Sequence, residues 1–171
     1  MKCIRGGLHV RFHCAWLLLA GFVTTASAEE TVVTIAAGDG PALALTIPAK
    51  AKVYSNPPKT TIVVSGLFMS IWNVPAAKTV TEALPLVVDT IRDEVLQFQP
   101  MQTNELTVAG GSALLLAGPG VEADDGDPSK ADVAVFAVGG HVFMASVHGE
   151  HNDAERECQP MLDVLHTARI P

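Results

Sequence analysis

His148, Glu150, His151 and Asp153 fall within six residues, and four such donors at a junction of strand and helix have the composition of a divalent-metal site. The spacing H-x-E-H-x-D departs from the zincin pattern, in which two histidines stand four apart on one helical face with a glutamate between them. The same residues suit a plain solvated corner, where Asp153 and Glu155 offset the positive end of the helix that follows. Two readings stand side by side: a divalent cation held by His148, Glu150, His151 and Asp153, or no cofactor.

A second group of oxygen donors, Asp124, Asp125, Asp127, Ser129 and Asp132, has the flavour of a calcium loop but lacks the later glutamate of an EF-hand. An acidic hairpin loop kept soluble by repulsion explains it equally well. Ser146 and His148 alternate onto one strand face, with Asp132 as a conceivable acid. Same-face residues two apart are separated by ~6.5 Å along a strand, too far for direct proton transfer. The chain has no G-x-S-x-G elbow, phosphate-binding glycine loop or Cys–His pair, so no catalytic residue is assigned and the expectation is a protein that is not an enzyme.

The elements that position these residues follow from hydrophobic period. Thr31–Ala37 and Leu43–Ile47 read as a hairpin across the turn formers Gly38–Pro41, and Lys50–Lys59, with Asn56-Pro57-Pro58, as a surface loop that cannot continue a ladder. Thr60–Ser65 and Phe68–Val74, flanking Gly66, read as a second strand pair or one bent strand. Leu84, Val87, Val88, Ile91 and Val95 make the stripe of an amphipathic helix opened by Thr79 and Glu82 as a capping box, with Pro85 predicting a kink or a later start. Leu106–Val108, Ser112–Ala117, Asp132–Val138 and Val142–Val147 read as strands, the last two joined at Gly139-Gly140. A closing helix is expected over Asp153–Thr167, capped by Asn152, with Cys158, Met161, Leu162 and Leu165 on its buried stripe. Trp72 and most of the other aromatic residues are expected in the core. The predicted class is α+β: an antiparallel sheet of about six strands flanked by two helices, an α/β/α sandwich.

Residues 1–28 carry Lys2, Arg5 and Arg11, the apolar run Ala15–Val23 and the site Ala26-Ser27-Ala28, the pattern of a secretory signal peptide, leaving 29–171 as one domain in the periplasm or outside the cell. Beyond residue 28 there are 8 basic and 18 acidic side chains, a formal charge of −10, which argues against nucleic acid as a partner. No later run approaches the ~20 apolar residues of a spanning helix, so no membrane span is expected after cleavage. Cys158 is the only cysteine beyond the leader, so no internal disulfide is expected.

Five phrases, LALTIP (Leu43–Pro48), WNVPAAKTVTEAL (Trp72–Leu84), LTVAGGSALLLAGPG (Leu106–Gly120), VAVFAVGGHVFMASVHG (Val133–Gly149) and LDVLHTARI (Leu162–Ile170), resemble in order and spacing the PsbP-like superfamily and its exported bacterial relatives. The resemblance covers nearly all of 29–171 and departs at Pro48, which Ala49-Lys50-Ala51 follows in place of an aromatic residue. It implies an α/β/α sandwich and a non-catalytic accessory, adsorption or chaperone-like role, and the leader places the expected protein partner in the periplasm or outside the cell.

Overall fold

The computed structural model describes residues 29–36, 39–64, 67–150 and 159–171, and the backbone alone at Leu67, Gly149 and Glu150. The strands run β1 (Glu30–Ile35), β2 (Leu43–Pro48), β3 (Lys52–Asn56), β4 (Lys59–Val64) and β5 (Leu67–Asn73). Then come helix α1 (Val80–Arg92), β6 (Val95–Leu96), β7 (Gln102–Val108), β8 (Gly111–Glu122), β9 (Pro128–Val138) and β10 (His141–Glu150). A C-terminal helix, α2, is described over residues 159–165.

The fold is α+β, as expected, but its sheet has eight antiparallel strands and curls into a half-barrel rather than forming the six-stranded layer of a sandwich. The order is β3-β4-β5-β10-β9-β8, and the far edge of β8 is shared, with β7 along Gly111–Ala117 and β6 at Val121–Glu122. Two strands were hidden in the sequence. Asn56-Pro57-Pro58 does not break a ladder, because the prolines occupy the turn between β3 and β4. Val95 does not extend the helix stripe, because the helix has ended at Arg92 and Val95 opens β6.

The sheet is buried on both faces, so its central strands read as continuous apolar runs. On one face Val133, Val135, Val142 and Met144 pack with Val87 and Ile91 of α1. On the other, Phe136 and Phe143 stack with ring centroids 5.8 Å apart beneath Leu43, Leu45 and Ile47 of β2 and Met161 and Leu165 of α2. The β1–β2 hairpin forms as expected but stays a separate two-stranded sheet on this second face.

Helix α1 starts where its cap places it: Thr79 is extended, and its hydroxyl accepts from the Glu82 N–H at 3.2 Å. The reciprocal half of the box is displaced by one residue, since Glu82 accepts from the N–H of Lys78 at 3.0 Å. Pro85 lies inside the helix on its exposed side. Among the described residues no helix is long and apolar enough to cross a membrane. The closing helix is described only from residue 159, so the expected cap at Asn152 and the burial of Cys158 lie outside the described residues.

Gly118 and Gly139 are among the glycines at close approaches of the sheet. A Cβ on Gly118 would stand 2.0 Å from the carbonyl oxygen of Gln99, so only glycine lets the segment before β7 cross β8 there. Gly139 has φ +59° in the β9–β10 turn, as the glycine pair predicts, and its open side receives Ile170 near the C-terminus.

Candidate functional site

Helix α1 lies over β8, β9 and β10. Past the C-terminal end of α1, six side chains from six segments meet. His148 of β10 brings Nδ1 to 3.2 Å from Glu122 Oε1, at the end of β8, and Nε2 to 3.4 Å from Glu94 Oε2, just past α1. Lys59, at the start of β4, pairs with the other oxygen of Glu94 and places its Nζ 5.6 Å from the centroid of the Trp72 ring. Ser129 of β9 donates its hydroxyl hydrogen to Glu122.

The backbone fixes both carboxylates. Val95, next to Glu94, is the Cα partner of Glu122, and the Ala123 N–H donates to the Glu94 carbonyl at 3.1 Å. Glu94 Oε2 is fully buried, and its neighbour is His148, at a distance longer than a good hydrogen bond.

The interaction with the Glu94 carboxylate raises the His148 pKa above its ordinary value; burial opposes the shift, and the hydrogen bond and charge of Glu122 reinforce it. Glu94 is lowered in turn by its interaction with His148, against burial, with Lys59 adding to the effect. A doubly protonated imidazole donates from both nitrogens and has no lone pair for a proton or a metal. In that state His148 is a clamp between two carboxylates.

Across β3, β4, β5 and β10 runs a row of hydroxyls. Tyr54 pairs with Thr61, Thr61 with Ser70 and Ser70 with Ser146, so four hydroxyl side chains of β3, β4, β5 and β10 share one face. Thr61 and Ser70 are hydrogen-bonded at 3.1 Å, while the Ser146 hydroxyl is buried without a hydrogen-bond partner. Beside this row Lys52 pairs with Val63 and Val63 with Phe68. Tyr54 and Phe68, 53% and 60% exposed, depart from the expectation of a mostly buried aromatic set; Trp72, Phe98, Phe136 and Phe143 meet it.

Of the expected metal donors, His148 alone has a described side chain. The Glu150 side chain, His151 and Asp153 lie outside the described residues. Among the described residues no group of three or more His, Cys, Asp or Glu is placed to hold a metal ion. Asp124, Asp125 and Asp127 are exposed in the β8–β9 turn, where Asp125 accepts from the Asp127 N–H at 3.0 Å. Ser146 and His148 share a face as expected, but Asp132 pairs with Val147 and therefore points to the opposite one. A cavity of about 520 Å³ lies at the other end of α1, between Val80, Thr81 and the β7–β8 hairpin, with Glu105 as the one ionisable lining residue among the described residues.

Sequence reasoning singled out His148 but missed Lys59, Glu94 and Glu122, which are far from it in the chain and met only through strand order. The signal that was present is a glutamate beside each of two apolar runs, Glu94 before Val95-Leu96 and Glu122 after Val121.

Taken together these features define an α+β protein with a curled antiparallel sheet and an ion-paired cluster under one helix end. No family model matches the sequence, and no curated protein matches it. Among solved structures it is similar to LpqN, involved in cell envelope biogenesis of Mycobacterium tuberculosis, at 14% identity and a TM-score of 0.53, over 83% of this chain and 92% of that one. It also matches PA94 of Pseudomonas aeruginosa, a protein of unknown function described as a putative regulator, at 11% identity and a TM-score of 0.47, over 81% and 94% of the two chains. At these identities the likeness to LpqN is one of fold, and neither description names the PsbP superfamily.

Proposed function

We propose that this chain is an exported, non-catalytic binding domain of the PsbP-like type, acting on a protein partner in the periplasm or outside the cell. The observation that carries the non-catalytic part is the state of His148: both ring nitrogens face carboxylates, which leaves no free base beside Ser146. Export rests on the basic, apolar and A-x-A segments of residues 1–28. LpqN, whose fold is shared, is described as involved in cell envelope biogenesis, and the envelope is the setting proposed for this chain.

The test is fractionation of a bacterial host expressing the full chain, with intact mass of the product. A periplasmic or secreted species beginning at Glu29 is expected. An unprocessed chain retained in the cytoplasm would overturn the proposal. Ser146→Ala is expected to leave partner capture from the exported fraction unchanged, whereas a hydrolytic activity lost in that variant would make the protein an enzyme.

A further inference from the structure

Strand β3 ends the eight-stranded sheet, pairs on one side with β4, and has all five residues exposed. Edges of this kind are usually blunted by charge or proline. Here Lys52 stands at the first position and Pro57-Pro58 follow the last, while Val53-Tyr54-Ser55 between them carry neither. Val53 and Tyr54 are 40% and 53% exposed and point to opposite faces. The backbone edge and two apolar anchors are thus presented together.

Charge says what fits beside them. From Gly40 to Thr81 there is no aspartate or glutamate, and these residues carry Lys50, Lys52, Lys59 and Lys78, four of the eight basic side chains beyond residue 28. Acidic residues reach this lobe from other elements, among them Asp163 of α2, which lines a groove with Pro48 and Val64, and Glu82, which accepts from the Lys78 N–H. Glu29 and Glu30 flank the end of β2, and Glu94 is engaged by Lys59 and His148. Lys50 and Lys52 are exposed at the β3 end, on a chain whose remaining surface is strongly acidic.

We infer that the outer edge of β3 is a docking site for an extended acidic peptide segment, which adds as a ninth strand. The inference rests on the binding-module reading and names the chemistry of its partner. Main-chain hydrogen bonds along Lys52–Asn56 supply the pairing. A carboxylate beside Lys52 sets register, and apolar side chains beside Val53 and Tyr54 cover both faces. A basic segment is repelled at the same edge.

The test uses end-blocked, fluorescein-labelled (Glu-Val)4 with (Lys-Val)4 as control, read by anisotropy at low and physiological salt, with amide exchange on the complex. Expected are saturable binding of the acidic peptide alone, weakening with salt, and slowed exchange confined to the β3 edge. Lys52→Glu, at an exposed position, should weaken binding about five- to tenfold without moving Tm. Val53→Pro should abolish it by removing a backbone donor. Equal binding of both peptides, protection away from β3, or an unchanged affinity in Lys52→Glu would overturn the inference. So would competition by phosphatidylglycerol vesicles without backbone protection, which would make the lobe a lipid-facing surface, or sedimentation showing a dimer joined through β3. Any of these leaves the export result, and with it the wider reading, standing.

Discussion

His148 titrates between Glu94 and Glu122, and the signs of the two shifts define a pH window. A raised histidine contributes stability that is complete below its ordinary value of 6.5 and is lost as pH climbs through the higher folded value. A lowered Glu94 contributes stability that is complete above its ordinary 4.5 and is lost as pH falls through the lower folded value. The cluster therefore stabilises most between those two ordinary values, and Tm of the wild type should fall on either side of them. His148→Gln should flatten the alkaline arm and cost about 1–3 kcal/mol near pH 6, because two partly buried carboxylates lose their shared donor. A wild-type alkaline arm that survives unchanged in the variant would assign the pH dependence to another group. The same geometry bears on metal. With both nitrogens of His148 facing carboxylates, zinc is expected to leave Tm unchanged. A shift of several degrees, the effect of about 2.7 kcal/mol at 100 times the dissociation constant, would instead place an ion on His148, Glu150, His151 and Asp153 if it is lost when His148 and His151 are both replaced by alanine, and on the acidic β8–β9 turn if it survives. His148 was legible as a chemically loaded residue. Its partners were not, since nothing in local spacing tells which distant glutamate a strand order will bring alongside.

At the scale of elements, α1 was the most readable segment, because a helix announces itself by period and cap. Its inner face follows Val80, Ala83, Val87 and Ile91, with Leu84 and Val88 only partly covered, so the apolar stripe was read one residue too far around. Ile91→Ala should cost about 2–5 kcal/mol and Ile91→Asp should unfold the protein, as should Leu165→Asp on the opposite face. Thr79→Ala should cost about 1 kcal/mol, measured by urea denaturation. The misread elements share one cause: β3 is short and mostly polar, β6 is only two residues long, and their pairing comes from β4 and β8, not from their own composition. Gly118 shows the same limit. As a residue it reads as part of a turn, G-P-G, yet it lies in mid-strand where another backbone passes. Gly118→Ala is expected to destabilise by more than the usual cost of a core mismatch, because the contact is with a carbonyl and not with a side chain that can rotate away.

The whole molecule is a sheet covered on one face by α1 and on the other by the β1–β2 hairpin with α2, and the hairpin's attachment is the least obvious feature. Its class as a hairpin was legible from turn residues. Its exclusion from the main sheet was not, because Leu43–Ile47 alternates so little that either placement satisfies the pattern. What ties it down is the end of the chain. Arg169 exchanges two backbone hydrogen bonds with Ala44, at 2.8 and 3.0 Å, and the Thr167 hydroxyl accepts from the Thr46 N–H at 2.8 Å. Ala168 is buried beside them, and Ile170 reaches on to Gly139 in the β9–β10 turn. The last residues thus join the hairpin to the central sheet across the core of the second face. Deleting 168–171 removes two backbone bonds and this apolar anchor together, a loss of about 2–4 kcal/mol at roughly 1 kcal/mol per bond plus the burial. Tm should drop accordingly, and amide exchange should accelerate along β2 before it does in β9 and β10. If β2 and β9 instead exchange together at the wild-type rate, the hairpin is held by its apolar contacts alone and the terminal bridge is incidental.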